Sequence, residues 1–483
     1  MPDFGFVGDA YTAPSIYQDD QELINWFVED DPRKEGKTPF GPADRGDFTL
    51  YPTPGLLTRC QLTTGPVRGL WTVTGGIYLI AVSVDTVYKI DTHFNAVIIG
   101  TLSSTAGPVS ISDNGIAVYI VDGANRYSYI LNTGVFTALP ASEGAFQGGI
   151  TVGIVDNYFV YNRPDSNQWA ASDALSTTTQ PLSFTSMLGD PSHTKALICD
   201  HREVWVLGES YSEVWVDVGS FPFPFQIVPG TSIQSGCAAP FSVARLGNSF
   251  AFVSRNRRGQ SVALQMNGYQ AERISTSAVE NDLQDDDISD AIGFTYQVRG
   301  HEFWVVTFPS ANKTWVYDAS TKFWHKWRYW KNGAYQRHRA NCYAFFNDIP
   351  IVGDFENGKL YSLEPDLYTD DGNVIRRMRR CPHLVSDFQR VYHSDLQLQF
   401  QPGVGLSTGQ GYNPQAMLRW SNDGGSTWSG EHWVSIGKQG QYKNRAIWRR
   451  LGWARDRIYE VVITDPVNPV IVSANLNADV GGT

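Results

Sequence analysis

The feature that most constrains this chain is a recurring hairpin of short, aromatic-rich strands, each too small to bury both of its faces. Ile77-Tyr-Leu-Ile-Ala is followed by Thr86-Val-Tyr-Lys-Ile, and Ile116-Ala-Val-Tyr-Ile-Val by Arg126-Tyr-Ser-Tyr-Ile. The pattern returns in Glu203-Val-Trp-Val-Leu with Glu213-Val-Trp-Val-Asp, and in Glu302-Phe-Trp-Val-Val with Thr314-Trp-Val-Tyr-Asp. Lys359-Leu-Tyr-Ser-Leu is a shorter echo. The first two units are offset by about 40 residues, the length of one four-stranded propeller blade, and the later, longer offsets imply insertions. An isolated hairpin is marginal in water, whereas radial packing of blades covers both faces and leaves only short edges. The expectation is a mainly β protein with a β-propeller of about six blades over residues 60–365. A pair of β-sandwiches would use the same strands.

The flanks read differently. Residues 1–59 form an extended polar arm, because steps such as those in Tyr51-Pro-Thr-Pro-Gly55 disfavour helix. Residues 366–483 carry runs of period two, Asp395-Leu-Gln-Leu-Gln-Phe400 and Ile458-Tyr-Glu-Val-Val-Ile463 among them. Such alternation predicts a sheet with one packed and one wet face. The two terminal regions are therefore expected to build an antiparallel, sandwich-like platform. A single helix is predicted around residues 274–292, with Asp285-Asp-Asp287 on its solvated flank.

Charge divides the chain. Residues 1–375 hold 25 Lys+Arg and 41 Asp+Glu, a formal −16; residues 376–483 hold 13 and 8, or +5; together they give 38 − 49 = −11. The sign changes at Arg376-Arg-Met-Arg-Arg380, so Arg376, Arg377, Arg379 and Arg380 are candidates for a protein interface with an acidic partner. An acidic majority argues against gripping nucleic acid, which needs a Lys/Arg excess to displace counterions. It is compatible with DNA passing by without sticking. The longest apolar run, near Ile77–Val82, falls far short of the ~20 residues of a membrane helix, and the acidic N-terminus lacks the basic residues of a secretory leader.

Catalytic signatures are sparse. Gly36-Lys37-Thr38 lacks the earlier glycine of a phosphate loop and runs into Pro39, and the Arg45-Gly-Asp47 triplet reads as a turn. No nucleophile elbow, zinc-protease motif or Cys-x-x-Cys occurs, so no cofactor, metal or catalytic residue is assigned. The acidic group Asp282–Asp290 lacks the glycine and closing glutamate of a calcium loop. One motif is sharp: Ser421-Asn-Asp423-Gly-Gly425-Ser-Thr427-Trp428 fits the Asp-box pattern at every position. Ser421, Asp423, Gly425, Thr427 and Trp428 are expected to form a structural turn, with side-chain oxygens bonding turn amides and Trp428 packing beneath.

Several segments together resemble the tail accessory, or packaged-DNA stabilisation, factors of short-tailed bacteriophages, also called tail nozzle or hub proteins. They are Ile24-Asn-Trp-Phe27, Tyr51-Pro-Thr-Pro-Gly-Leu56, Gly65-Pro-Val-Arg-Gly69, Gly236-Cys-Ala-Ala-Pro-Phe241 and Ser249-Phe-Ala-Phe-Val253. Trp315-Val-Tyr-Asp-Ala-Ser320, Gly358-Lys-Leu-Tyr361, Arg419-Trp-Ser-Asn-Asp-Gly and Trp448-Arg-Arg-Leu-Gly452 extend the likeness nearly end to end, while Phe323–Tyr335 has no placed counterpart. The resemblance implies a propeller with a platform, and a homo-hexameric ring below the head-to-tail adaptor. Such a ring conducts double-stranded DNA without specific binding, helps retain the genome and carries tail fibre, tailspike or needle proteins. It implies a virion component assembled in the host cytoplasm and no enzymatic activity. The readings from other classes are a propeller glycosidase or depolymerase, which would need paired carboxylates or a tyrosine nucleophile in a pocket, and a carbohydrate-binding propeller.

The five cysteines are odd in number and widely spaced, as expected of reduced thiols acting as apolar filler. Adding reductant should leave the melting temperature unchanged. A fall of several degrees would reveal a disulfide.

Overall fold

The computed structural model describes residues 4–17, 20–30, 48–140, 142–189, 192–255 and 259–481. The Gly36-Lys-Thr38 and Arg45-Gly-Asp47 segments lie outside the described residues. Among those described, four-stranded antiparallel units recur seven times, where about six blades are expected from the sequence. Their innermost strands are Val67–Thr72, Ser110–Asp113, Val152–Val155, Thr194–Asp200, Ala244–Leu246, Ile292–Val298 and Ala340–Phe346. Neighbouring innermost strands pack on one another and the last returns to the first, with blades four and five joined through the core of Trp205, Phe250 and Phe252.

The hydrophobic clusters explain the ring. Ile80 and Val82 of blade one meet Val118 and Ile120 of blade two, and Leu70 and Ala81 meet Phe346 and Leu360 of blade seven. Every pair of neighbours shares such a layer, so no blade depends on its own thin core.

Blade seven closes the ring with a strand from far upstream. It takes three strands from residues 340–364 and its fourth from Gly55–Gln61. The register pairs Ser362 with Leu57 and Leu363 with Leu56. Gly55 is required there, since a Cβ would lie 2.5 Å from the carbonyl oxygens of Leu367 and Thr369. The propeller thus begins before residue 60, inside the segment whose prolines suggest an extended arm.

The arm enters the second unit. Three of its strands are β1 (Glu22–Ile24), β2 (Trp26–Asp30) and β3 (Phe48–Pro52). One sandwich sheet runs β2, β3, Ile471–Val480, Val391–Phe400, Ala446–Arg449. The other runs β1, Arg377–Arg380, Asp456–Ile463, Gln415–Ser421, His432–Ser435. Trp26, Leu50, Leu396, Leu398, Leu418, Val461 and Leu476 are buried in one continuous core. Fully burying each such aliphatic or aromatic side chain is worth about 1.5–3 kcal/mol.

Among the described residues helix is nearly absent. In place of a helix over 274–292 there is a short α1 (Ser277–Asp282), followed by turns. Its acidic flank is not simply solvated: Lys313 Nζ lies 2.7 Å from Asp286 and 3.3 Å from Asp282, and Trp315 Nε1 donates to Asp282 at 2.8 Å. These contacts draw the chain off the helical path, where aspartates already favour turns. Among the described residues no helix is long and apolar enough to cross a membrane.

Candidate functional site

A dense set of buried polar contacts lies where the arm, the propeller and the sandwich meet. Strand β1 is its centre. Ile24 pairs in parallel with Lys326, on the outer strand of blade six, while Glu22, Leu23 and Ile24 pair antiparallel with Arg380, Arg379 and Met378. A ten-stranded sheet therefore runs without a break from blade six through the arm into the sandwich.

Asn25 fixes the exit from this strand. Its φ of 58° is a left-handed value that asparagine tolerates better than most residues. Its side chain donates to the carbonyls of Arg328 at 2.9 Å and Arg376 at 3.0 Å, and accepts from the Arg328 amide at 2.9 Å. One amide thus links propeller, arm and sandwich. Beyond it, Trp26 is fully buried and donates from Nε1 to the Pro469 carbonyl at 3.1 Å.

Charged side chains complete the joint. Lys326, almost fully buried, reaches Glu22 at 2.9 Å and Thr12 Oγ1 at 3.0 Å, with its Nζ 4.6 Å from the centroid of the Trp315 ring. His301 stands between Asp318 of its own blade, at 2.7 Å from Nδ1, and Glu29 of β2, at 2.5 Å from Nε2. Burial disfavours the imidazolium, but the hydrogen bonds and charges of the two carboxylates outweigh it and raise the His301 pKa. Neighbouring His325 has no such partner and burial pushes it down to about 3; as a neutral ring it accepts from Trp327 Nε1 at 3.0 Å.

The arginine run divides by burial. Arg377 and Arg379 are fully buried and face no solvent. Arg379 donates to the carbonyls of Phe6 at 2.5 Å, Asp9 at 2.7 Å and Gly5 at 3.2 Å, and to Gln21 Oε1 at 2.8 Å. Burial lowers its pKa to about 10, which still leaves it protonated at neutral pH. Arg377 lies beside buried Asp370, whose pKa desolvation raises to about 7. Arg376 donates to the Tyr335 hydroxyl at 2.5 Å and lies over the rings of Trp330 and Tyr335. Arg380 holds fully buried Glu460 from one side at 3.0 Å, and Arg419 holds it from the other at 2.5 Å.

As a presented docking patch the run therefore fails at Arg377 and Arg379. The planar fork of Arg379 is used on the chain's own carbonyls and on Gln21, whereas the buried Arg377 guanidinium makes no hydrogen bond among the described residues and lies beside Asp370. Exposed positive charge on the sandwich lies instead at Lys443, Arg445, Arg449, Arg450 and Arg455, which no local motif marks. The Trp/Tyr-rich stretch left unplaced by the sequence splits in two. Trp324–Lys326 is the outer strand of blade six, and the hairpin Arg328–Lys331 with Ala334–Arg337 carries Trp330 and Tyr335 to Arg376.

The Asp box forms a closed local circuit. Asp423 accepts from the Thr427 amide at 2.8 Å, Thr427 Oγ1 at 2.6 Å and Ser421 Oγ at 2.7 Å. Gly424 and Gly425 adopt φ of 67° and 98°, and the Gly425 amide donates to Ser421 Oγ at 2.8 Å. These hydrogen bonds hold the Asp423 pKa down to about 2. Trp428 is half-buried, with the guanidinium groups of Arg380 and Arg419 near its ring, 5.1 and 4.7 Å from the centroid, and joins the turn to the Glu460 pair. The turn lies at the surface, with Asp423 and Thr427 exposed and bonded to each other within it. Among the described residues no group of three or more His, Cys, Asp or Glu side chains is placed to hold a metal ion.

Comparison with known proteins follows the same division. Residues 42–368 match the family model described as the β-propeller of bacteriophage P22 Gp10, and residues 376–479 match the one described as its β-sandwich. The chain belongs to the bacteriophage P22 Gp10 family. A curated relative, the tail hub protein gp10 of Salmonella phage P22, is 22% identical over 247 residues, covering 50% of this chain and 50% of that one. The aligned part thus spans about half the length of that relative. Among solved structures, the N-terminal domain of Nup159 covers 64% of this chain and 95% of its own at 12% identity and a TM-score of 0.38. The Neurospora crassa Pan2 WD40 domain covers 64% and 96% at 9% identity and a TM-score of 0.42. Neither bears on function.

Two outcomes follow for the joint. Arg379→Ala should destabilise the protein by about 3–5 kcal/mol, because it strands several buried carbonyls at once. Early proteolytic cleavage within the first 20 or so residues should accompany the fall in melting temperature; an unaltered cleavage pattern would contradict the role. For His301 the folded pKa lies above the unfolded 6.5, so its stabilisation is complete below about pH 6.5 and is lost as pH rises through the folded value. Denaturant titrations should show that decline in the wild type and a flatter profile in His301→Gln.

Proposed function

We propose that the chain is a structural hub of a short-tailed phage tail, assembled as a homo-hexameric ring below the head-to-tail adaptor. In this reading the ring forms the exit channel for the packaged DNA, helps retain the genome and carries tail fibre, tailspike or needle proteins. It is assembled in the host cytoplasm and resides in the virion. The observation that carries the proposal is the family match over both structural units, propeller and sandwich. The name of the P22 relative, a tail hub protein, agrees with it.

The physical character of the chain supports the same role. A continuous sheet from blade six into the sandwich suits a part that transmits load rather than one that opens around a substrate. The formal −16 of residues 1–375 suits a wall past which DNA slides, since repulsion keeps phosphate from adhering. The basic sandwich, through Lys443, Arg449 and Arg450, suits an acidic protein surface on the adaptor or a neighbouring copy.

Electron microscopy of the purified chain, alone and with adaptor-bearing particles, should show a ring with a central channel. Particles that never acquire the chain would overturn the proposal. Neutralising Lys443, Arg449 and Arg450 should slow attachment at low salt and matter little at 1 M, where the Debye length falls to ~3 Å. The full chain should bind duplex DNA no better than a neutral control protein. Tight binding with a steep salt dependence would make it a DNA clamp instead.

A further inference from the structure

Between blade seven and the sandwich the chain makes a small hairpin. Thr369–Asp370 and Asn373–Val374 pair antiparallel across the turn Asp371-Gly372, whose residues take left-handed φ of 51° and 80°. The hairpin is tied to the closing strand of blade seven by the register pair of Asp370 with Leu56. The Asp371 amide adds a hydrogen bond to the Leu56 carbonyl at 2.8 Å. Shortly after it, Arg377 opens the sandwich strand Arg377–Arg380.

This passage places a carboxyl and a guanidinium in the interior without joining them. Asp370 is 2% exposed and Arg377 is fully buried. Oδ1 of Asp370 and all three guanidinium nitrogens of Arg377 make no hydrogen bond among the described residues. Other buried arginines are bonded: Arg68 donates to the carbonyls of Gly107 and Val84 at 2.6 Å, and Arg457 to that of Leu451 at 2.6 Å. The charged and titratable groups around the pair are committed elsewhere. On blade seven, Arg339 holds Asp354 at 2.6 Å and reaches Glu356 at 3.4 Å. On the turn, Asp371 accepts from Thr58 Oγ1 at 2.6 Å and from Lys359 Nζ at 2.5 Å. Arg59 of the closing strand pairs with Glu364 at 2.7 Å. Tyr368, just before the hairpin, has its ring centroid 5.8 Å from the Arg377 guanidinium.

A carboxylate withdrawn from water and given no N–H to accept is costly, so the neutral acid is favoured. Arg377 is the strongest charge acting on Asp370, with Arg339 and Asp371 after it, yet burial outweighs them and pushes the carboxyl up to about 7. We propose that the Asp370 proton is a latch: while it is held the hairpin stays seated between blade seven and the sandwich, and its loss leaves an unbonded anion in the interior and lets the hairpin open. No hydrogen bond joins Asp370 to Arg377, so ionisation closes no ion pair in the seated geometry. The direction follows from linkage. Folding raises the Asp370 value from 3.8 to about 7, so the seated form has its full stability below 3.8, loses it as pH rises between the two values, and loses no more above them. Opening the hairpin leaves Arg377–Arg380 in its sheet, because that strand pairs with Glu22–Ile24 and Asp456–Ile463. The latch is a property of a single chain and is independent of the ring proposed above.

The test is amide hydrogen exchange of the full chain at about pH 5 and about pH 8, each rate divided by that of an unstructured peptide at the same pH. In the wild type, protection of Thr369–Val374 should fall roughly 10-fold or more at the higher pH, with Arg377–Arg380 still protected. Asp370→Asn has the shape of the neutral acid and no proton to lose, and should protect the hairpin equally at both. His301→Gln should keep the wild-type fall. Should Asp370→Asn fail to fold, Asp370→Ser, smaller and equally uncharged, makes the same comparison. Equal protection at both pH values in the wild type, or the same fall in the uncharged variant, overturns the latch. A fall that disappears in His301→Gln belongs to that histidine and overturns it as well.

Discussion

A strand of three residues holds two structural units in one body. Strand β1 pairs through Ile24 with Lys326 of blade six and through Glu22, Leu23 and Ile24 with Arg380, Arg379 and Met378 of the sandwich. Without it the outer strand of blade six would be an open edge, and the sandwich sheet would begin at an Arg377–Arg380 strand unpaired on that side. An unpaired buried donor or charge costs far more than an ordinary hydrogen bond returns. The Asn25 amide, the Arg379 fork and the Glu29–His301–Asp318 chain all serve this one junction.

The same upstream region also completes the propeller, because Gly55–Gln61 is the closing strand of blade seven. Ring closure and attachment of the sandwich therefore depend on neighbouring segments of one short stretch of chain. Both are contacts of very large sequence separation, so loop-closure entropy opposes them until the intervening blades have formed. The sandwich does not swing on a linker; it extends blade six, and force on either unit passes along a continuous hydrogen-bonded sheet.

Much of this fold is legible in the sequence, and the remainder is not for identifiable reasons. The hairpins of blades one, two, four and six show themselves because alternation and aromatic content are local properties. The Asp box is legible for the same reason: Ser421, Asp423, Gly425 and Thr427 satisfy one another within a single turn. Blade seven shows only its strand Lys359–Glu364, the shorter echo, since its four strands come from residues 55–61 and 340–364 and no local signal joins them. Arg376–Arg380 reads as surface charge, and only the fold reveals that the arm's own carbonyls fill the space around Arg379. The helix expected over 274–292 fails because Lys313, distant in sequence, draws Asp282 and Asp286 toward it.

Amide hydrogen exchange along the ten-stranded sheet tests the junction most directly. Exchange reports the free energy of local opening, and strands of one cooperative unit open together. The expected result is that Glu22–Ile24 exchanges as slowly as Trp324–Lys326 on one side and Arg377–Arg380 on the other, all near the rate of global unfolding. Rapid exchange of Glu22–Ile24, with blade six and the sandwich each still protected, would contradict the account and show two bodies joined by a loose arm.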